Sequence, residues 1–456
     1  MSALFAGPTP RVRAVPASAP FLDVFVEAMA GALWRADAPF ALADALVLLP
    51  NRRAAQGLID AFARKLGGAA LLPTIRPLGD LDDDPDVWGA EPIELDIAPA
   101  IAPTRRRLEL AALARARLRA EGGADDPARA LAMADELCRL LDSAAAADAP
   151  DWAQLPHLVE DIDLAAHWKM SAEFLEIITV YWPQRLKAEG LADPAERRAL
   201  VLDGLGGLWR SAPPERPIII AGSTGSIAAT RRLMRVVASL PQGVVVLPGL
   251  DSDLDDAAWN AIGPQHPQFA LKETLAALGL ARTQIASLGK ETQHGHARRT
   301  LIREALAPAD ATADWLKRLE SAGGGAMAKK GLEGAAILEA ANADEEAAAI
   351  ALLLREALET PGQTAAFVTP DAPLARRVGE KLQRWGVTPS ASHGRALRET
   401  PPGMLLALLC DLARDSGDCV ALAALLKHPL ARFGLTAEEG ARLRPGLERL
   451  ALRGPR

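Results

Sequence analysis

The chain has 456 residues, half of them hydrophobic and 24% charged, with a formal net charge of −7. Such a composition suits a soluble globular protein of about three domains and excludes one that coats DNA through a global basic excess. Any nucleic-acid contact must therefore be a local basic groove. Cys138, Cys410 and Cys419 are scattered, with no C-x-x-C pair and no nearby histidine cluster, which fits a reduced, cytosolic protein without a metal site in this chain. Met1 to Pro20 carries Arg11 and Arg13 among prolines and no signal-like apolar stretch, and no run approaches about 18 consecutive apolar residues. The chain reads as cytoplasmic, with no membrane partner.

Residues 11 to 16 alternate like a first strand, and Phe21 to Trp34 has helical spacing. The connection between them, Pro16 to Pro20, is where a RecA-like ATPase places its phosphate loop. It contains neither glycine nor lysine, so a nucleotide phosphate would meet no backbone cradle and no counter-charge. Ala45 to Leu49 reads as a buried strand ended by Pro50-Asn51-Arg52-Arg53, with a helix from Ala54 to Leu66 stopped by Gly67-Gly68. Two arginines at a strand's carboxyl end and a helix's amino end can meet a nucleic-acid phosphate together with backbone N–H groups. A solvated turn is the bland alternative. Leu71 to Leu78 extends, and the acidic run Asp80 to Asp86 after it lacks the glycine and terminal glutamate of a calcium loop.

From Thr104 to about Trp209 the strand pattern vanishes. Helices are expected over Leu108–Leu118, Ala128–Leu141, Trp168–Leu186 and Pro194–Leu208, which together look like an inserted helical subdomain. Trp152, Trp168, Tyr181 and Trp182 are base-stacking candidates within it, although aromatics at helical spacing usually belong to a core. His157 and His167 have no ligand-spaced partner.

The apolar run Pro217 to Ala221 reads as a buried parallel strand, and Gly222-Ser223-Thr224-Gly225-Ser226 as the turn at its carboxyl end, the edge where open α/β sheets bind ligands. Glycines there let backbone approach a ligand, and the following helix offers unpaired N–H groups. The turn lacks the lysine and spacing of a Walker A loop, and no Walker B acid follows Ile220. Gly243 to Gly249 is the next strand, leading to Asp251, Asp253, Asp255 and Asp256 on the same edge. His266, His294 and His296 fall in polar turns. Ala322 to Gly334 reads as a flexible linker. A second α/β unit is expected after it, with strands Ala336–Ala340 and Ala365–Thr369, a short one at Gly386–Pro389, helices Asp344–Leu358 and Pro373–Trp385, and a polar turn, Ser392 to Thr400, carrying Arg395 and Arg398.

Several of these stretches resemble one family in the same order: Leu48 to Ala55, Leu72 to Asp80, Ala221 to Ile227, Leu240 to Asp251, Phe367 to Asp371 with Leu374 to Arg377, and Leu425 to Leu430. The family is the AddB subunit of bacterial AddAB helicase-nucleases, in its alphaproteobacterial form, and the resemblance covers almost the whole chain. It implies an α/β fold of RecA-like, superfamily 1 helicase-like parallel sheets with a large all-α insertion. The expected divisions are 1–103 and 211–321 for a first RecA-like domain, 104–210 for the insertion, 322–334 for a linker and 335–456 for an incomplete second RecA-like domain. Family proteins are about twice this long and end in a nuclease with an iron–sulfur cluster and Mg2+. Those cofactors lie outside this chain, which looks like the helicase-like portion of such a protein.

The resemblance further implies double-strand break repair, with single-stranded DNA and duplex ends as ligands, an AddA-type motor subunit as partner, and Chi-type hotspot recognition. Without a Walker A lysine, a Walker B acid or the nuclease domain, no catalytic residue is assigned. The candidate DNA-binding residues are Asn51, Arg52, Arg53, Ser223, Thr224, Ser226, Arg395 and Arg398. A second reading, from another class, is a nucleotide- or sugar-nucleotide-dependent transferase holding phosphate on Gly222–Ser226 and Mg2+ on Asp251–Asp256. A third is a purely structural scaffold.

Overall fold

The computed structural model describes residues 4–35, 38, 40–67, 70–79, 81, 97–120, 122, 124–147, 174–312, 315–392, 394 and 396–452. They fall into two compact units, Met1–Ala335 and Ala336–Arg456.

The first unit is built on six parallel strands, β1 (Val12–Val15), β2 (Leu46–Leu49), β3 (Thr74–Pro77), β4 (Ile218–Ala221), β5 (Gly243–Pro248) and β6 (Ala286–Ser287), in the order β3-β2-β4-β5-β1-β6. The register places Leu46 beside Thr74 and Ile218, Ile218 beside Gly243, Val12 beside Val245 and Arg13 beside Ala286. An all-parallel sheet needs both faces covered, which is why β2, β4 and β5 are continuous apolar runs rather than alternating ones. Period-two geometry then sorts each run. Val12, Leu46, Leu48, Ile218, Ile220, Val245 and Leu247 share one core with α6 (Pro194–Ser211), α7 (Ala228–Ser239) and α9 (Phe269–Leu278), through Leu205, Trp209, Leu233 and Leu275. Val15, Val47, Leu49, Ile219, Val244 and Val246 face the opposite way. They pack against Phe25, Met29, Leu58 and Phe62 of α1 (Phe21–Leu33) and α2 (Arg52–Leu66). Each such side chain contributes roughly 1.5–3 kcal/mol of burial.

Between β3 and β4 every described element is a helix: α3 (Pro103–Ala120), α4 (Pro127–Ala146), a π-turn at Ile177–Tyr181, α5 (Trp182–Glu189) and α6. Asp126 and Asp193 cap α4 and α6 ahead of a proline at the first helical position, the arrangement that pre-sets a helix start. This portion has its own core, in which Ile101, Leu110, Leu137, Ile178 and Trp182 meet. Trp182 is buried and donates its Nε1–H to Asp193 Oδ2 at 3.1 Å, so it is a core aromatic and not a stacking platform, whereas Tyr181 is exposed. Trp152, Trp168, His157 and His167 lie outside the described residues, as does the acidic run from Asp80 apart from Leu81.

Two stretches of the first unit differ from the sequence expectation. His294 and His296 lie on a helix, α10 (Gln293–Ala305), capped by the Thr292 hydroxyl at Gly295 N. It follows α8 (Asp256–Ala261) and α9 in the chain. The glycine-rich stretch read as a linker contains α12 (Gly324–Gly331), which follows α11 (Trp315–Ser321). Gly331 is buried, with so little room that a Cβ there would lie 3.0 Å from Ala297 O of α10. Absence of a side chain here serves close helix packing rather than flexibility.

The second unit comprises α13 (Ala343–Ala357), α14 (Ala372–Gln383), α15 (Pro401–Arg414), α16 (Cys419–Lys427) and α17 (Ala437–Leu447). Its core is small: Ala347 and Ala351 of α13 meet Leu374, Val378 and Leu382 of α14. The stretches 336–340, 365–369 and 386–389, expected as strands, join no ladder, so the sheet of the first unit is the only one among the described residues. A strand exists only by pairing, and Ile337 and Val368 are 94% and 91% exposed, packed on nothing.

Candidate nucleic-acid interface at the carboxyl edge of the sheet

A parallel sheet sends all its strand ends to one edge, and the strand order decides which turns become neighbours. Because β2 pairs with β4 through Leu48 and Ile220, the Pro50–Arg53 turn stands beside the Gly222–Ser226 turn. Gly222 has φ +74°, and a Cβ there would lie 3.3 Å from the Phe21 ring and 3.8 Å from Pro50. A left-handed residue in so tight a place calls for glycine.

Within the first turn, Asn51 Oδ1 accepts from Ala54 N at 2.9 Å and so caps α2, leaving Arg52 and Arg53 as exposed residues of the helix's first turn. Asn51 is thus the residue that positions the two arginines. In the second turn, Ser223 is buried, its Oγ accepting from Gly225 N at 3.2 Å. It shapes the turn from inside instead of presenting a hydroxyl to a ligand. Thr274 Oγ1, fully buried, donates to Thr224 O at 2.8 Å, and Arg231 Nη1 donates to Gly225 O at 2.9 Å. The Thr224 and Ser226 hydroxyls make no hydrogen bond to another described residue, and Ser226 is exposed. The helix that follows, α7, starts at Ala228 behind Ile227, which offers no side-chain cap. Hydroxyls, helix-start N–H groups and the arginines Arg52, Arg53 and Arg231 thus share adjacent strand ends. Such groups bind a phosphodiester backbone without reading its bases.

The far end of the same edge is occupied differently. Beyond β5, β1 and β6 a single guanidinium gathers three carboxylates: Arg299 of α10 lies 2.9 Å from Asp251, 2.6 Å from Asp253 and 2.9 Å from Glu291. Arg299, Asp253, Glu291 and His296 line a cavity of about 310 Å3 with Pro16, Leu250 and Ser287. Burial opposes the charge of Arg299, but hydrogen bonds to Glu291 and Asp253 and the nearby Asp251 charge overcome it and raise the guanidinium pKa above its ordinary value. The hydrogen bond from Arg299 holds Asp253 below the usual carboxylate range. For Glu291, burial pushes upward, and hydrogen bonds from Arg299 and Ser18 more than offset it.

The remaining acids of this loop are also taken by arginines: Asp255 caps α8 at Ala258 N and pairs with Arg318 at 2.6 Å, and Asp256 pairs with Arg282 at 2.6 Å. The loop that could have offered Mg2+ a set of carboxylates therefore carries internal counter-charges, and no group of three metal-ligating side chains occurs among the described residues. Arg299 escapes sequence reading because Asp251 and Asp253 lie 48 and 46 residues upstream, and Glu291 because Ser18 lies 273 residues upstream; the one local signal is Thr292 standing as an N-cap before a helix dense in arginine.

Of the other candidates, Arg395 lies outside the described residues. Arg398 sits in an exposed 3-10 turn, Leu397–Glu399, of the second unit, where neighbouring Glu399 pairs with Arg376 at 3.1 Å. No helix among the described residues is long and apolar enough to cross a membrane. No protein-family model matches the chain, and no curated protein matches it.

Proposed function

We propose that the chain is a helicase-like, non-catalytic part of a DNA double-strand break repair helicase-nuclease, gripping single-stranded DNA along the carboxyl edge of its sheet and docking on a motor subunit. The observation that carries this reading is the juxtaposition of the β2 and β4 turns, which puts Arg52 and Arg53 beside the Thr224 and Ser226 hydroxyls. The family resemblance supplies the biological setting, and the α/β sheet with its large helical portion is compatible with it. Phosphate contact of this kind is sequence-independent and releases counterions, so affinity falls steeply as salt rises. Asn51 and Ser223 position the two turns; Arg52, Arg53, Thr224 and Ser226 touch the backbone.

Fluorescence anisotropy with a labelled single strand, at low and at physiological salt, tests this reading. Saturable, salt-sensitive binding is expected, and binding that is unmeasurable both alone and with an AddA-type subunit would overturn it. Calorimetry with ATP or a nucleotide sugar in Mg2+ should give no heat. A measurable affinity there would instead favour a transferase using Gly222–Ser226.

A further inference from the structure

The amino edge of the same sheet carries a surface of different chemistry. Helices α6 and α7 approach closely there, with Gly206 of α6 set so that a Cβ would lie 3.5 Å from Val236 of α7. Beside this contact opens a cavity of about 420 Å3, bordered by residues that lead into β4 and β5. Its floor is apolar: Trp209, Val236 and Leu240 are all buried. Its rim is basic. Arg210, Arg232 and Arg235 line it, and Arg11 reaches the same wall, donating from Nη1 to Leu240 O at 3.1 Å and Pro241 O at 2.9 Å.

The charges at this rim are unbalanced. Arg232 is engaged by Asp203 through two contacts, Nε–Oδ1 at 2.7 Å and Nη2–Oδ2 at 2.8 Å. Arg210 donates only to a backbone carbonyl, that of Gly206, at 3.2 Å. Arg235 is exposed and its guanidinium meets no hydrogen-bond or ion-pair partner among the described residues. Among the described residues one carboxylate, that of Asp203, is bonded at this rim against four guanidiniums. An apolar pocket with a cationic rim selects a ligand with the inverse pattern, one apolar group beside several carboxylates.

We infer that this cavity is a docking site for an acidic peptide segment of a partner protein, one that carries a hydrophobic anchor residue. The anchor enters the cavity over Trp209, Val236 and Leu240, and the flanking carboxylates meet Arg210, Arg235 and Arg11. Guanidinium forks match carboxylate geometry, which gives such a contact direction as well as charge. A nucleic-acid strand fits less well: its bases need an exposed aromatic face, and Trp209 is 3% exposed. The site uses none of the residues assigned to DNA above and stands whether or not that reading holds.

The test uses the whole chain and a fluorescein-labelled peptide of sequence Asp-Glu-Asp-Asp-Leu-Phe, with Asp-Glu-Asp-Asp-Ser-Ser as the anchorless control and an unlabelled single-stranded oligonucleotide as competitor. Saturable binding is expected, weaker by about tenfold for the control and for Arg235→Glu. Ser239→Phe, at an exposed position on the cavity wall, should block binding by filling the space while leaving every charge in place. Melting temperatures check that both variants fold; if Ser239→Phe is destabilised, Arg235→Glu decides. The inference is overturned if no saturable binding appears at millimolar peptide, if the control binds equally well, if a folded Arg235→Glu leaves affinity unchanged, or if the oligonucleotide binds the same cavity more tightly than the peptide.

Discussion

Ser18 Oγ donates to Glu291 Oε1 at 2.6 Å, which ties the turn after β1 to the loop leading into α10. The same serine lies under Gly295, where an added Cβ would come within 2.7 Å of Ser18 Cβ. The space above β1, which a phosphate loop would keep open, is here filled by the start of α10. Gly295→Ala should therefore overpack this contact at a cost of about 1–3 kcal/mol, read as a lower urea midpoint with an unchanged slope. A neutral Gly295→Ala would mean that α10 does not press on this turn.

Arg299 is the only cation that Asp253 and Glu291 share among the described residues. Arg299→Met keeps much of the side-chain volume and strips Asp253 and Glu291 of their shared guanidinium, leaving Arg303, 3.8 Å from Asp251, to face three crowded carboxylates. Removing one side of a buried ion-pair network costs on the order of 3–5 kcal/mol, and partial exposure of Asp253 places the expected loss near the lower figure. Equilibrium denaturation measures it; a loss below about 0.5 kcal/mol, typical of a surface change, would contradict the network's structural role.

The pH dependence follows from the direction of the shifts. Asp253 and Glu291 titrate below their ordinary values in the folded chain, so their contribution is complete above the unfolded values of about 4 and is lost as pH falls through the lower folded values. In Arg299→Met the same carboxylates repel one another, and protonation relieves them. The stability gap between parent and variant should narrow from about pH 5 to pH 3. A constant gap across that interval would assign the loss to packing instead.

For DNA, Arg52→Ala together with Arg53→Ala should weaken single-strand binding alike on every sequence and flatten the salt dependence by nearly two charges' worth, since each phosphate contact contributes about 0.7 to the logarithmic slope for a single strand. Binding titrations at several salt concentrations give this slope directly. Weakening confined to one sequence would place the arginines against bases rather than phosphates.

Gly225, with φ +71°, is held against Thr274, and a Cβ there would run into the Thr274 hydroxyl. Gly225→Ala should cost at least about 2 kcal/mol through backbone strain and overpacking. Thr274→Val, which only removes the bond to Thr224 O, should cost about 1 kcal/mol. Thermal melts rank the two; the reverse order would show that the turn is held by that hydroxyl more than by its glycine.

Much of the sheet is legible in the sequence, because Leu46–Leu49, Ile218–Ala221 and Val244–Leu247 are apolar on both faces and only burial on both faces favours that pattern. The two-residue β6 is not: Ala286 and Ser287 are exposed, so pairing with β1 leaves no trace in hydrophobicity. Helix α10 hides for a related reason, since what it buries is Gly295, Ala297, Thr300 and Glu304 rather than large apolar side chains. In the second unit Ala365–Thr369 carries a strand's residues but finds no partner strand, and propensity alone builds no ladder. At the candidate interface, Arg52 and Arg53 announce themselves by sitting just past a strand. The inward turn of Ser223 and the capping role of Asn51 depend on which groups happen to be nearby, and a one-dimensional pattern does not hold that information.

The position of β1 also bears on how the domain assembles. Val12–Val15 pairs with β5 at Val245 and with β6 at Ala286, far along the chain, whereas β2 and β3 pair across a short connection. During synthesis β1 must therefore stay unpaired until Gly243–Pro248 has left the ribosome, with the whole helical insertion made in between, whereas the apolar face of α1 can meet Leu58 and Phe62 of α2 early. Loop closure over that distance slows folding, and an unpaired apolar strand is a template for association. Pairing of the amino-terminal strand between β5 and β6 is thus a long-range step that can begin only after most of the unit has been made.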